Sequence, residues 1–306
     1  VLGYTVEGFK EKDNGVEVLL KDNPSLQADM VVLAIGVTPD TVLAKEAGLE
    51  LGIKESIVVN DRMETSVPDI YAAGDAVQVK HYVTGNDALI SLAGPANKQG
   101  RIIADNICGG DSRYLGSQGS SVIKVFDMTA ATTGINETNA KKSGLEVDTV
   151  ILSPMSHAGY YPGGKVMTMK VVFEKESYRL LGAQIIGYEG VDKRIDVLAT
   201  AIHAGLKATQ LKDLDLAYAP PYSSAKDPVN MAGFMIDNIA KGTLKQWHLE
   251  DMDKISKDKS VVLLDVRTVG EFNRGHMDGF RNIPVDELRE RINEIEKGKP
   301  VYLICQ

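Results

Sequence analysis

The order of predicted elements specifies a chain of α/β and α+β class, with an α/β unit at each end and an α+β block between. Three observations carry this. A strand, Ile70 to Ala73, runs into Gly74-Asp75 and is followed by a long helix; residues 121 to 240 place strands first and helices after; and beyond a polar stretch strand and helix alternate to the end. The 306 residues also exceed what one hydrophobic core organises, so two or three domains are expected.

Taken in order, residues 1 to 35 hold three strand signals: Tyr4 to Phe9, in a segment opening at Val1, then Val16 to Leu20, and the apolar run Met30 to Ile35. Asp13-Asn14-Gly15 and Asp22-Asn23-Pro24 form turns between them, predicting a small meander that ends in a buried strand. After Ile70 to Ala73, a helix is predicted from about Asp87 to Ile107, stopped by Gly109-Gly110. Strands are then expected at Val122 to Phe126, Val147 to Ser153, Val166 to Phe173 and Leu180 to Ile186, with one short helix at Glu137 to Ser143. Ile195, Leu198, Ile202 and Leu206 recur at helical spacing, and Val229, Phe234, Ile236 and Ile239 mark a second helix after Asp227-Pro228. Lys241 to His248 is polar and reads as a linker. Beyond it, Val261 to Leu264, Val269 to Asn273, Asp286 to Glu296 and Val301 to Ile304 alternate in the manner of a parallel sheet.

A net charge of −8, without a Lys/Arg run, argues against nucleic acid or an anionic membrane as the main partner and favours a small molecule. No apolar stretch reaches the roughly 18 residues of a membrane span. Cys108 and Cys305, the two cysteines, lie far apart and outside any C-x-x-C pair, so neither a disulfide framework nor a metal site is expected, and a reducing, cytoplasmic compartment fits. With Val1 first and Cys305-Gln306 directly after an apolar run, both ends are read as cuts in a longer chain.

Thr65-Ser66-Val67-Pro68-Asp69-Ile70-Tyr71-Ala72-Ala73-Gly74-Asp75-Ala76 brings an acid to a strand end directly after a glycine. Sheets of this class bind ligands there, Gly74 permitting close backbone approach and Asp75 accepting from a ligand hydroxyl; the plain alternative is a Gly-Asp turn. The whole string resembles the second FAD motif of the pyridine nucleotide-disulfide oxidoreductases, which implies that Asp75 holds a ribityl hydroxyl of the flavin. Ala34-Ile35-Gly36-Val37-Thr38-Pro39 resembles the segment where that family's chain re-enters its FAD domain. Leu92-Ala93-Gly94-Pro95-Ala96-Asn97-Lys98-Gln99-Gly100-Arg101 resembles the helix whose N-terminus approaches the flavin ring, so Ala93, Gly94 and Pro95 are expected at the cofactor. No G-x-G-x-x-G occurs, so the resemblance puts the nucleotide fingerprints and the flavin-proximal cysteine upstream of this sequence.

The H-P-T-x-x-E motif of glutathione-reductase-like members is absent. In its place His157-Ala158-Gly159-Tyr160-Tyr161-Pro162-Gly163 and Ala217-Tyr218-Ala219-Pro220-Pro221-Tyr222-Ser223-Ser224-Ala225-Lys226-Asp227-Pro228 resemble the coenzyme A-disulfide reductase branch. That resemblance implies a homodimer in which tyrosines reach the partner's active site, here Tyr161 and Tyr218, with Asn97, Tyr222 and Lys226 at coenzyme A. A phenol can donate a hydrogen bond to a leaving thiolate; as packing groups the same tyrosines would do nothing chemical, and which of each pair faces inward is left open. His157 is read as structural.

Cys108, at a helix end, is read as a small buried hydrophobe. Cys305 ends a strand that reads as buried, where a following loop can stabilise a thiolate. Val262-Leu263-Leu264-Asp265-Val266-Arg267, Glu271-Phe272 and Gly275-His276-Met277-Asp278-Gly279-Phe280-Arg281-Asn282-Ile283-Pro284 resemble the rhodanese signature, and their spacing puts Cys305 at that family's persulfide-forming cysteine. Asp265, Arg267 and His276 are read as architectural.

The resemblances imply a partial FAD/NAD(P)-binding α/β domain, with the tail of its NAD(P)H part at 1–35 and the end of its FAD part at 36–115. An α+β interface (dimerisation) domain follows at 116–241, and a partial α/β rhodanese-like domain at 246–306. The implied activity is NAD(P)H-driven, FAD-dependent reduction of coenzyme A disulfide, coenzyme A persulfide or polysulfide, coupled to sulfur transfer. The alternatives are an NADH oxidase or peroxidase of the same fold and a non-catalytic dimerisation module.

Overall fold

The computed structural model describes residues 3–305; Val1, Leu2 and Gln306 lie outside the described residues, and with them the start expected for the first strand. The N-terminal meander is β1 (Val6–Lys12), β2 (Gly15–Leu20) and β3 (Asn23–Ala28), antiparallel throughout. The third strand is therefore not the apolar run Met30 to Ile35. Asn23–Ala28 takes the pairing to β2, with Val18 opposite Leu26. The 30–35 run is left without a partner strand among the described residues, and Met30, Val32, Leu33 and Ile35 are exposed. With no strand beside it among the described residues, the run forms no ladder and its backbone is open to water.

α1 (Val42–Glu46), β4 (Ile57–Val58), β5 (Val77–Lys80), β6 (Asp87–Ala88) and α2 (Ala93–Ile107) follow. The strand expected at Ile70 to Ala73 reduces to a single bridge from Tyr71 to Glu64, and Gly74–Ala76 form a 3-10 turn. The long helix begins at Ala93 and not Asp87, because Asp87 and Ala88 pair with Lys80 and Val79. Pro95, which has no N–H to give, then falls in the first turn of α2, where none is needed. Met63, Val77 and Val79 form the small core beneath.

The largest core belongs to the central block. Five strands, β7 (Ser121–Val125), β8 (Met128–Gly134), β9 (Val147–Leu152), β10 (Met167–Glu174) and β11 (Leu180–Gly187), make one antiparallel sheet in the order β7-β8-β11-β10-β9. α3 (Glu137–Lys142), α4 (Val191–His203) and α5 (Pro228–Ala240) complete it. Phe173, Leu181, Leu198, Leu211 and Ile236 are fully buried in this core. β8 was not expected: Met128-Thr-Ala-Ala-Thr-Thr-Gly134 lacks alternating large apolar residues, yet it lies between β7 and β11.

The last unit contains α6 (Met252–Ile255), β12 (Val262–Asp265), α7 (Val269–Arg274), β13 (Arg281–Asn282), α8 (Val285–Leu288) and β14 (Val301–Ile304). β12 pairs with β13 and with β14, both in parallel, as the alternation predicts. The helix expected over Asp286 to Glu296 is broken into α8 and a 3-10 turn at Ile292–Glu294. Of its apolar residues Leu288 and Ile295 pack on the core while Val285 and Ile292 are exposed, so no continuous stripe holds a long helix down.

Candidate active site

The two tyrosine loops come together. One joins β9 to β10 and the other leads into α5, and Ala158 N–H donates to Ser223 O across them at 2.9 Å. Their phenols meet directly: the hydroxyls of Tyr160 and Tyr218 are 2.6 Å apart. The resemblance had named Tyr161 with Tyr218; the turn closed by Tyr161 N–H on Ala158 O (2.9 Å) sends the neighbouring side chains apart. Tyr161 instead sets its ring at the edge of His157, with centroids 5.6 Å apart. His157 is buried, as a structural residue should be, with Nδ1 3.1 Å from Ala158 O. The hydrogen bond to Tyr160, reinforced by partial burial, raises the pKa of Tyr218, so this hydroxyl stays a donor at neutral pH.

Beside the pair is a cavity of about 500 Å³ bordered by Ser156, Glu189, Lys193, Arg194, Tyr218 and Tyr222. Tyr222 and Lys226 are both exposed, and the Lys226 ammonium sits 5.7 Å from the centre of the Phe234 ring. Sequence alone does not single out Arg194, which reads as a charge on a helix face. It is 1% exposed, and its guanidinium pairs with Asp227 Oδ2 through Nη2 (3.0 Å) and Nε (3.2 Å). Its helical position on the apolar stripe of Ile195 and Leu198 was the available signal.

At the other end, Gly74 adopts φ +85° and packs beside Ala96, and its N–H donates to Gln99 Oε1 at 2.7 Å. This fastens the Gly74–Ala76 turn to α2 and leaves Asp75 exposed on the turn, not at a strand end. α2 is 15 residues long and Leu92, its N-cap, makes no side-chain cap, so the first N–H groups, at Ala93 and Gly94, have no side-chain acceptor. An exposed carboxylate beside an uncapped helix N-terminus suits a ligand with both hydroxyls and a ring that gains negative charge on reduction, as a flavin has. Asn97 is exposed and bonds back to Ala93 O (3.0 Å).

In the last unit Asp265 is fully buried and paired with Arg267, whose Nη2 lies 2.6 Å and Nε 3.0 Å from its oxygens. Burial pushes the Asp265 pKa up, but the hydrogen bonds and charge of Arg267 outweigh it and the net shift is downward. Arg267 also donates to Gly275 O (3.0 Å), and His276 stacks on Phe272, so these residues brace the loops. Cys305 follows β14, an edge strand that is half exposed and not buried, and Cys305 itself is exposed. Cys108 is exposed too, contrary to the expectation of a buried hydrophobe, because α2 ends at Ile107 on the surface.

These features belong to known domain types. Residues 1–100 match the pyridine nucleotide-disulphide oxidoreductase model, 120–228 the dimerisation domain of the same family, and 248–306 the rhodanese-like domain. The chain belongs to the pyridine nucleotide-disulphide oxidoreductase family and carries a rhodanese-like domain. Among solved structures, it is similar to reduced CoADR-RHD from Bacillus anthracis, with TM-score 0.91 and 47% identity over 99% of this chain and 54% of that one. The NAD-dependent persulfide reductase from A. fulgidus gives TM-score 0.89 and 40% identity over 99% and 55%. A curated relative, the CoA-dependent NAD(P)H sulfur oxidoreductase of Pyrococcus furiosus, is 38% identical over 70% of this chain and 48% of the relative. The chain thus spans about half the length of the relatives it matches. No helix of the described residues is long and apolar enough to cross a membrane.

Proposed function

We propose that this chain is part of a homodimeric flavoprotein that uses NAD(P)H to reduce coenzyme A disulfide, coenzyme A persulfide or polysulfide, with the rhodanese-like domain carrying sulfane sulfur. The observation that carries this reading is the phenol pair of Tyr160 and Tyr218, 2.6 Å apart beside a cavity. Two hydroxyls that share one hydrogen bond keep a second O–H free, and that proton can meet a thiolate as it leaves. Tyr161, on the loop of Tyr160, sets its ring at the edge of His157. Lys226 supplies a cation for an acidic thiol's phosphates, with Tyr222 and Asn97 as further contacts.

FAD, when bound, supplies hydride relay from NAD(P)H to sulfur. The groups that fit it are the Asp75 carboxylate, for a ribityl hydroxyl, Gly74 at the close approach, and the Ala93-Gly94-Pro95 turn at the ring. In the rhodanese-like domain the Cys305 thiolate attacks the outer sulfur of a persulfide, releasing the donor thiolate and keeping sulfur as its own persulfide. Attack by a coenzyme A thiolate on that outer sulfur restores Cys305 and yields coenzyme A persulfide. The functional units are 1–35, 36–115, 116–241 and 246–306, in a reducing, cytoplasmic setting.

The test is NAD(P)H consumption by the full-length protein with each sulfur acceptor and with oxygen alone. Sulfur-dependent turnover is expected, and Tyr218→Phe and Tyr160→Phe should each lower it on the order of a hundredfold. Turnover with oxygen alone, indifferent to both changes, would overturn the proposal.

A further inference from the structure

The phenol pair is exposed and has no core of its own: Tyr160 and Tyr218 are 76% and 45% exposed. Their loops are separated by more than fifty residues of chain, and the hydroxyls face each other across 58 positions. Something buried must hold the loops in register, and Arg194 touches both. Its Nη2 donates to Ser156 O in the first loop (2.9 Å) and to Asp227 Oδ2 at the end of the second (3.0 Å). Tyr222 O and Ser223 Oγ lie within reach of the same nitrogen, at 3.3 and 3.2 Å. Nη1 donates to Gly190 O (3.1 Å), which ties the guanidinium to the start of its own helix. Asp227 in turn accepts from Ser223 Oγ (2.7 Å) and from Val229 N–H (3.0 Å), so the carboxylate closes the loop and caps α5 together.

We propose that Arg194, with Asp227 and Ser223, is a positioning residue that sets the Tyr160–Tyr218 hydroxyl contact by clamping the two loops against α4. The inference rests on the functional reading above but concerns a different group, one that is 1% exposed and whose donors are taken up by Ser156, Gly190 and Asp227. A planar fork with several donors is needed to reach Ser156 O, Asp227 and Gly190 O at once, and the single ammonium of lysine cannot do this.

The test uses the full-length protein labelled with 3-fluorotyrosine and read by fluorine NMR, the Tyr218 signal being assigned by its loss in Tyr218→Phe. Tyr218 should ionise above the ordinary phenol range in the wild type. It should fall toward that range in Tyr160→Phe and fall equally in Arg194→Lys, while thermal melting shows the variant folded. Ser223→Ala, the milder change, should move it part of the way and serves if Arg194→Lys does not fold. His157, Glu189, Lys193 and Tyr222, the other titratable groups around the cavity, are left unaltered. A Tyr218 signal unmoved by Arg194→Lys and by Ser223→Ala overturns the proposal.

Kinetics give a second reading. Arg194→Lys should lower kcat/KM for coenzyme A disulfide about tenfold in the wild type and less than twofold in the Tyr160→Phe/Tyr218→Phe background, since the clamp acts through the pair. Equal losses in both backgrounds would mean a merely structural role and overturn it. Should the two phenylalanine changes leave sulfur reduction untouched while the fluorine signal still responds to Arg194→Lys, the clamp stands and the functional reading fails.

Discussion

Individual side chains are where sequence and structure part most clearly. The motif around Asp75 was legible because backbone and acid are adjacent in the chain. The choice between Tyr160 and Tyr161 was not, because it depends on a turn that sends neighbouring side chains apart, and Arg194 was invisible because a buried and an exposed arginine are the same letter. Ionic side chains also carry a measurable consequence. Glu137, at the start of α3, is held at about 2 by its hydrogen bonds to Lys141, 2.6 Å away, and to Lys170 on β10. A carboxylate whose pKa is depressed on folding stabilises the fold above its unfolded value of 4.5, and that contribution is lost as pH falls toward about 2. Glu137→Gln should therefore lower the melting temperature at pH 7 and flatten its decline below pH 4.5, a difference that melting curves across that window will show.

Secondary elements were legible where periodicity and burial coincide. β10, β11, α4 and α5 lie close to their expected spans because their apolar residues face one core. β8 escaped notice because its neighbours on both sides, and not its own side chains, define it as a strand. Its last residue, Gly134, makes that strand possible: φ is +68°, and a Cβ there would stand 2.1 Å from Leu181 O. Gly134→Ala is expected to cost more than about 1 kcal/mol, through left-handed strain and displacement of β11. Chemical denaturation would measure it, and an unchanged midpoint would contradict the close approach. α2 shows the opposite error, a helix drawn too long because Asp87 and Ala88 are compatible with helix but are claimed by pairing with β5, and the helix starts only at Ala93.

Across the molecule, the segment 241–248 is more than the polar linker it resembles. Gln246 donates to Asp148 Oδ1 (2.9 Å) and Thr149 O (2.8 Å) on β9, and His248 Nε2 lies 2.9 Å from the same carboxylate. Trp247, between them, turns the other way and donates to Leu303 O on β14 (3.2 Å), its ring beside Phe280. Consecutive side chains thus fasten the linker to the sheet on one side and to the strand that precedes Cys305 on the other. Trp247→Ala should free the last unit, seen as faster limited proteolysis between 241 and 261 with the central block intact. Cleavage at the wild-type rate would show that Trp247 does not hold the two together.

Local pattern was enough to reveal three units, their order, their classes and the short strings that mark family and chemistry, because each depends on residues close in the chain. Which tyrosine meets which, what clamps them, what makes β8 a strand inside the sheet and how the linker is held all depend on partners tens of residues away. Those contacts are made by packing and by pairing of buried polar groups, and a single stretch of sequence contains only one side of each.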